Sequence, residues 1–164
     1  MSIKVGDKLP SVQFKQFTSQ GLGEVSTDDI FANKRVILFG IPGAFTPVCQ
    51  GNHLPGYVAR ADEMKQRGLD EIVCVSVNDT FVTNAFGEAG KADGKVRMLA
   101  DSTGDFTRKL GMDTDGSSFG LGTRSERLAM LVDNGTVKSV QVEAKFVDHD
   151  VSSADNMVKI LTAA

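Results

Sequence analysis

Only two cysteines occur in the 164 residues, Cys49 and Cys74, and their spacing fits neither a zinc site nor a Cys-x-x-Cys redox motif. Two thiols do not make a disulfide framework, so the chain is not a stapled secreted scaffold. No apolar run approaches the ~18 residues that suggest a membrane span. The N-terminal Met1-Ser2-Ile3-Lys4-Val5-Gly6-Asp7 lacks the apolar centre of a signal peptide. Basic residues are not in excess, 18 against 21 acidic for a net charge of -3, so no cationic footprint points to nucleic acid. No internal repeat or low-complexity tract is visible. These absences predict a cytoplasmic chain that keeps at least one cysteine for chemistry. What is present is ordinary for a globular protein, 41% hydrophobic and 24% charged. The length suits a single domain over residues 1–164 and is short for two.

Periodicity predicts an α/β protein with a mixed sheet. Residues 35–40 and 71–77 are continuous apolar runs of strand length, as expected for strands buried on both faces. Residues 96–100 form a third strand. Residues 127–132 and 136–142 make a hairpin through Asp133-Asn134-Gly135, since Asn-Gly between apolar runs is a strong turn signal. Val12, Phe14 and Phe17 suggest a strand or hairpin near the N-terminus, followed by a turn and loop over 18–29 and a helical turn from Ser26. Helices are predicted over 47–66, kinked or split at Pro55, and over 80–92 with Phe81, Val82, Ala85 and Phe86 on one face. A short helix over 103–110 closes at Gly111. The last helix, 152–162, takes Ser152 or Ser153 as its cap and turns Met157, Ile160 and Leu161 to the core. The glycine-rich stretch 113–123 reads as an extended loop.

The junction between the first apolar strand and the first long helix carries the chemistry. It reads Ile41-Pro42-Gly43-Ala44-Phe45-Thr46-Pro47-Val48-Cys49. Thr followed by Pro is a helix-start signal, making Thr46 the N-cap and placing Cys49 in the first turn. A thiol there faces unpaired backbone N–H groups and the positive end of the helix dipole. That environment favours thiolate, the nucleophilic form. Pro42 and Gly43, by themselves, equally fit a plain strand-to-helix turn.

The pattern Pro42-x-x-x-Thr46-x-x-Cys49, continued by His53-Leu54-Pro55-Gly56-Tyr57, resembles the peroxiredoxins, and within them the peroxiredoxin 5 or plant type II subgroup. Val75-Ser76-Val77-Asn78-Asp79 and Gly120-Leu121-Gly122-Thr123-Arg124-Ser125-Glu126-Arg127 are similar to that subgroup as well, so the resemblance covers roughly residues 3–162. It implies a thioredoxin-like fold and a thiol-dependent peroxidase. Cys49 would attack hydrogen peroxide or an alkyl hydroperoxide and become a sulfenic acid. Thr46 would contact peroxide and thiolate, and Pro42 and Gly43 would line the pocket. No metal, haem or flavin is implied. The residues alone do not choose between Arg124 and Arg127 as the cation of such a site. The resemblance implies Arg127, directly before the apolar strand. It also implies a homodimer.

Other residues carry alternatives. Cys74 shares a strand face with Ile72 and Ser76 and reads as buried packing, or else as a resolving thiol. Animal peroxiredoxin 5 carries its resolving cysteine before the last helix, where this chain has Val147-Asp148-His149-Asp150-Val151-Ser152-Ser153 and no cysteine. That departure favours an external thiol, glutaredoxin with glutathione or thioredoxin. His53, four residues after Cys49, would suit a Cys–His hydrolase, but no orienting Asn or Asp is identifiable. It reads instead as a peripheral polar contact, and His149 as solvated. A peroxide sensor that oxidises a partner protein is the alternative to an antioxidant peroxidase.

Overall fold

The computed structural model describes residues 1–164. Its centre is a seven-stranded mixed sheet in the order β2-β1-β5-β4-β3-β8-β9. The two predicted apolar runs are β3 (Arg35–Ile41) and β4 (Glu71–Ser76), paired in parallel in the middle of the sheet. β5 (Arg97–Ala100) continues the parallel set beside β4. β8 (Leu128–Asp133) runs antiparallel along the other side of β3 and turns into β9 (Thr136–Val142). Asn134 and Gly135 take φ of 49° and 76° in that turn, the left-handed pair that an Asn-Gly hairpin requires.

Both faces of the central strands are buried, which explains their unbroken apolar sequence. Ile37, Phe39 and Ile41 face one layer, Val36 and Leu38 the other. The first layer is covered by α2 (Leu54–Gln66), α3 (Thr80–Ala89) and α5 (Ala154–Ala163). The second holds α1 (Thr27–Phe31) and α4 (Asp105–Leu110). Ser26 and Asp29 close a capping box on α1, and Gly111 ends α4 with φ of 70°.

Several local expectations change. The stretch 18–29 is not a loop: β1 (Gln13–Thr18) pairs residue for residue with β2 (Gly21–Ser26), a backbone ladder that its polar composition does not announce. Residues 113–123 are not one loop: they hold β6 (Asp113–Asp115) and one 3-10 turn and run into β7 (Thr123–Ser125), again paired polar strands. On α3 the buried face is Thr80, Thr83, Phe86 and Gly87, while Phe81 is exposed and meets Phe17 edge-on at 5.2 Å. On α5 the cap is Ser153, and Ala154 and Val158 join Met157 and Leu161 in the core, with Ile160 only half-buried.

The helix entered at Pro47 neither breaks nor splits before Pro55. A π-helical segment, Cys49–His53, leads directly into α2, with the Leu54 N–H bonded to the Cys49 carbonyl. The wider turn accommodates the proline, which has no N–H to donate.

α3 starts beside the site loop through Asp79, whose carboxylate accepts from the Val82 N–H at 2.8 Å. Asp79→Ala is expected to cost about 1 kcal/mol, read as a lower urea midpoint with an unchanged m-value. An unchanged midpoint would show that the cap contributes nothing.

Candidate active site

The loop 42–46 leaves the central strand β3 and delivers the chain into the helix that carries Cys49. One hydrogen bond anchors it from outside, and Arg124, tied to two other loops, packs beside Gly43. The Ala44 N–H donates to Asn78 Oδ1 at 2.9 Å, and Arg124 donates from NH1 to the Val77 carbonyl at 3.0 Å and from Nε to the Leu121 carbonyl at 2.8 Å. Gly43 is closely packed: a Cβ there would lie 3.1 Å from Thr46 Cγ2 and 3.3 Å from Arg124 NH1, so those side chains would have to give way by a few tenths of an ångström. Thr46 does not cap the helix through its side chain as predicted. Its hydroxyl donates to the Gly43 carbonyl at 2.7 Å, while its own carbonyl accepts from the Gln50 N–H at 2.9 Å. The loop folds back on itself, and that bond draws the hydroxyl to the loop rather than to the helix. Pro42 and Gly43 are buried and Thr46 half-buried.

Cys49 is fully buried, and Arg127 meets it from the far side of the sequence. Arg127 NH2 donates to Cys49 Sγ at 3.2 Å, NH1 to His53 Nδ1 at 3.0 Å, and Nε to the Phe146 carbonyl at 3.0 Å. Arg127 is 2% exposed and has no carboxylate partner among the ion pairs. Arg127 thus brings an unneutralised positive charge to hydrogen-bond distance of the sulfur, where it can meet charge that develops during a reaction. Of the two arginines that sequence left open, Arg127 meets Cys49 and Arg124 cross-links loops.

His53 is central rather than peripheral. It is fully buried, and its Nε2 lies 3.1 Å from the Ser152 carbonyl, which also accepts from the Tyr57 hydroxyl at 2.7 Å. Phe39 stacks on Tyr57 at 4.1 Å and lies 4.9 Å from the His53 ring. His149 is not simply solvated. It is half-buried, with its ring 5.2 Å from His53 and its Nε2 enclosed without a partner. Its position follows from Glu143, whose Oε1 accepts from the N–H groups of Asp150 and Ser152 and from the Ser152 hydroxyl at 2.6, 2.8 and 2.9 Å. The i, i+4 spacing of Cys49 and His53 was a sequence signal for their shared face. Nothing in the sequence tied Glu143 or Phe146 to them.

Cys74 lies on β4 in the same buried layer as Cys49 and is itself fully buried. Burial, and after it the nearby Cys49, push its thiol well above the ordinary 9.0, with Arg127 opposing. No disulfide joins the two cysteines.

Acid acts on this network twice. His53 sits well below the ordinary 6.5 because burial disfavours the charged ring, with Arg127 and then His149 adding to that and Ser152 opposing. The unfolded chain thus binds a proton there that the folded one refuses, and stability falls as the pH drops below 6.5. Burial raises the Glu143 carboxyl, but the bonds from Ser152 and Asp150 outweigh it and hold the group below 4.5. The stability it contributes is present above 4.5 and lost as pH falls through its folded value. The urea midpoint is therefore expected to fall in two stages, below 6.5 and again below 4.5. A midpoint flat across both windows would contradict this.

Comparison with known proteins agrees with this geometry. The Redoxin family matches residues 4–158. Peroxiredoxin-2D of Arabidopsis thaliana is 44% identical over 162 residues, covering 97% of this chain and 98% of the plant protein. Reduced Prx3 of Vibrio vulnificus, solved in complex with hydrogen peroxide, superposes with a TM-score of 0.92 at 44% identity, covering 97% of this chain and 99% of that one. Peroxiredoxin 5 of Alvinella pompejana gives a TM-score of 0.86 at 34% identity, covering 99% of each chain. With its thioredoxin fold and a buried cysteine held against an arginine, the chain belongs to the Redoxin family as a peroxiredoxin, a thiol-dependent peroxidase.

Proposed function

We propose that Cys49 is the nucleophile and that the protein reduces hydrogen peroxide and alkyl hydroperoxides, serving as an antioxidant. The observation that carries this is the 3.2 Å contact from Arg127 to Cys49 Sγ, both residues buried and the arginine paired with no carboxylate. The thiolate lone pair attacks the terminal peroxide oxygen, the O–O bond breaks, and the departing oxygen takes a proton as water or alcohol. Cys49 is left as sulfenic acid. Arg127 stabilises the thiolate and the charge growing on the leaving oxygen. Thr46, Pro42 and Gly43 shape the peroxide's approach.

One external thiol then condenses with the sulfenic acid, releasing water and forming a mixed disulfide. A second thiol displaces Cys49 and leaves as the external disulfide. We assign the reductant to glutaredoxin with glutathione or to thioredoxin, since Cys74 is buried and the loop before α5 holds no cysteine. Cys74 acts in packing. A homodimer is supported by Phe45, Phe119 and Val147, which stand 42%, 63% and 60% exposed on the loops around the site. Sedimentation equilibrium tests it, with a monomer at micromolar concentration overturning it. We place the protein in the cytoplasm, which fractionation tests.

The reductant is tested by steady-state peroxide consumption with each donor. Turnover in Cys74→Ser within about twofold of the parent, with at least one donor, supports an external thiol. Loss of turnover in Cys74→Ser with thioredoxin as the working donor would make Cys74 the resolving thiol.

A further inference from the structure

We infer that Asn78 is a positioning residue for the peroxide pocket: its side-chain oxygen holds the turn Gly43–Thr46 in a backbone conformation that Phe45 resists. This rests on the proposed role of Thr46 and names what keeps that residue in place.

The turn is closed by one acceptor. The Gly43 carbonyl takes the Thr46 N–H at 3.3 Å and the Thr46 hydroxyl at 2.7 Å. Phe45, the third residue, has φ of 64° and is the only one of the four with a positive φ. A positive φ at the third position alone marks a type II turn, where glycine or asparagine is usual. For a residue carrying a bulky ring it is an outlier, kept only where the surroundings impose it. The relaxed alternative is a type I turn, which turns over the peptide joining Ala44 to Phe45. That peptide lies directly before Thr46, so the turn type sets how Thr46 is presented to the pocket.

Two contacts from one neighbouring stretch of chain impose the strained form. Asn78 Oδ1 accepts the Ala44 N–H at 2.9 Å, and Phe45 meets the Phe86 ring of α3 edge-on at 5.2 Å. A backbone N–H can only donate, so Asn78 must present its oxygen and not its amide nitrogen. Asn78 can serve as a fixed point because both its neighbours are tied. The Val77 carbonyl accepts from Arg124 NH1 at 3.0 Å, and the Asp79 carboxylate caps α3 through the Val82 N–H at 2.8 Å. Phe86 stands on that same helix. The loop is thus registered against the start of α3 through Asn78, whose side chain bonds to nothing else in the chain.

The test compares Asn78→Asp and Asn78→Leu in the full chain. The first keeps the oxygen in nearly the same shape. The second keeps the volume and offers no acceptor. Two second-order rates are read at Cys49: reaction with hydrogen peroxide, which needs the pocket, and alkylation by iodoacetamide, which does not. The ratio of the two cancels effects common to both, such as the charge that Asn78→Asp adds. For Asn78→Leu the ratio of peroxide rate to alkylation rate is expected to fall at least about tenfold, and for Asn78→Asp to stay within about threefold of the parent. Adding Phe45→Gly to Asn78→Leu is expected to recover at least about threefold, because glycine takes a positive φ without resistance. An unchanged ratio in Asn78→Leu, an equal fall in both single variants, or no recovery on adding Phe45→Gly would overturn the assignment. Thr46→Val is run beside them. If it leaves the ratio unchanged, the underlying role of Thr46 fails; if it lowers the ratio while Asn78→Leu does not, only the role of Asn78 fails.

Discussion

Cys49→Ser is expected to lower peroxide turnover by at least about three orders of magnitude. A serine hydroxyl is not ionised near neutral pH, and its oxygen is a poor nucleophile toward a weak O–O bond. The substitution changes little else. The side chain is nearly isosteric, and the buried hydroxyl still finds a donor in Arg127 NH2, which now lies 3.2 Å from sulfur. Loss of activity should therefore come with a folded protein whose far-UV spectrum and urea transition are close to the parent's. Steady-state peroxide consumption with a thiol donor measures it. Retention of even a tenth of the activity would mean that another group carries the reaction.

Arg127→Gln is expected to lower kcat/KM by about 10²- to 10³-fold, the size of effect seen when one preorganised donor is removed from a developing charge. Two losses combine here. The positive charge facing the sulfur disappears, and the shorter neutral amide replaces a charged donor at the departing oxygen. The variant also leaves His53 Nδ1 and the Phe146 carbonyl without their partner, at about 1–3 kcal/mol each if no water replaces it. Removing a buried cation recovers part of that cost, because the cation no longer has to be desolvated. Stability should fall, then, but by less than the two orphaned groups suggest, and the rate effect dominates. Arg127→Lys should fall between, since one ammonium cannot serve a sulfur, an imidazole and a carbonyl set around a planar fork. Stopped-flow measurement of the peroxide step separates this from slow re-reduction. A normal peroxide step in Arg127→Gln would contradict the assignment.

The parts of this molecule that sequence made legible are those governed by local rules. β3 and β4 announce themselves because strands covered on both faces must be apolar throughout. Asn134-Gly135 fixes its hairpin because few other pairs accept two positive φ angles. Cys49 stands out because a strand, a turn and a Thr-Pro helix start precede it. β2, β6 and β7 were not legible, since they are held by backbone pairing between polar segments. Phe81 misled on α3 because its partner is Phe17, on the surface, and threonines take the buried face. Residues alone left Arg124 and Arg127 equal, and only resemblance to a family separated them. The contact of His53 with Arg127 joins positions 74 residues apart, and no local pattern encodes it. His149 looked solvated between two aspartates, yet Glu143 folds its loop over the site.

The most direct test is one turnover without reductant. Fully reduced protein receives one equivalent of hydrogen peroxide, is quenched with dimedone, and is digested for mass spectrometry. One peroxide consumed per chain, a dimedone adduct on Cys49 and an unmodified Cys74 are expected. Peroxide consumed while the Cys49 thiol stays intact, or an adduct confined to Cys74, would contradict it.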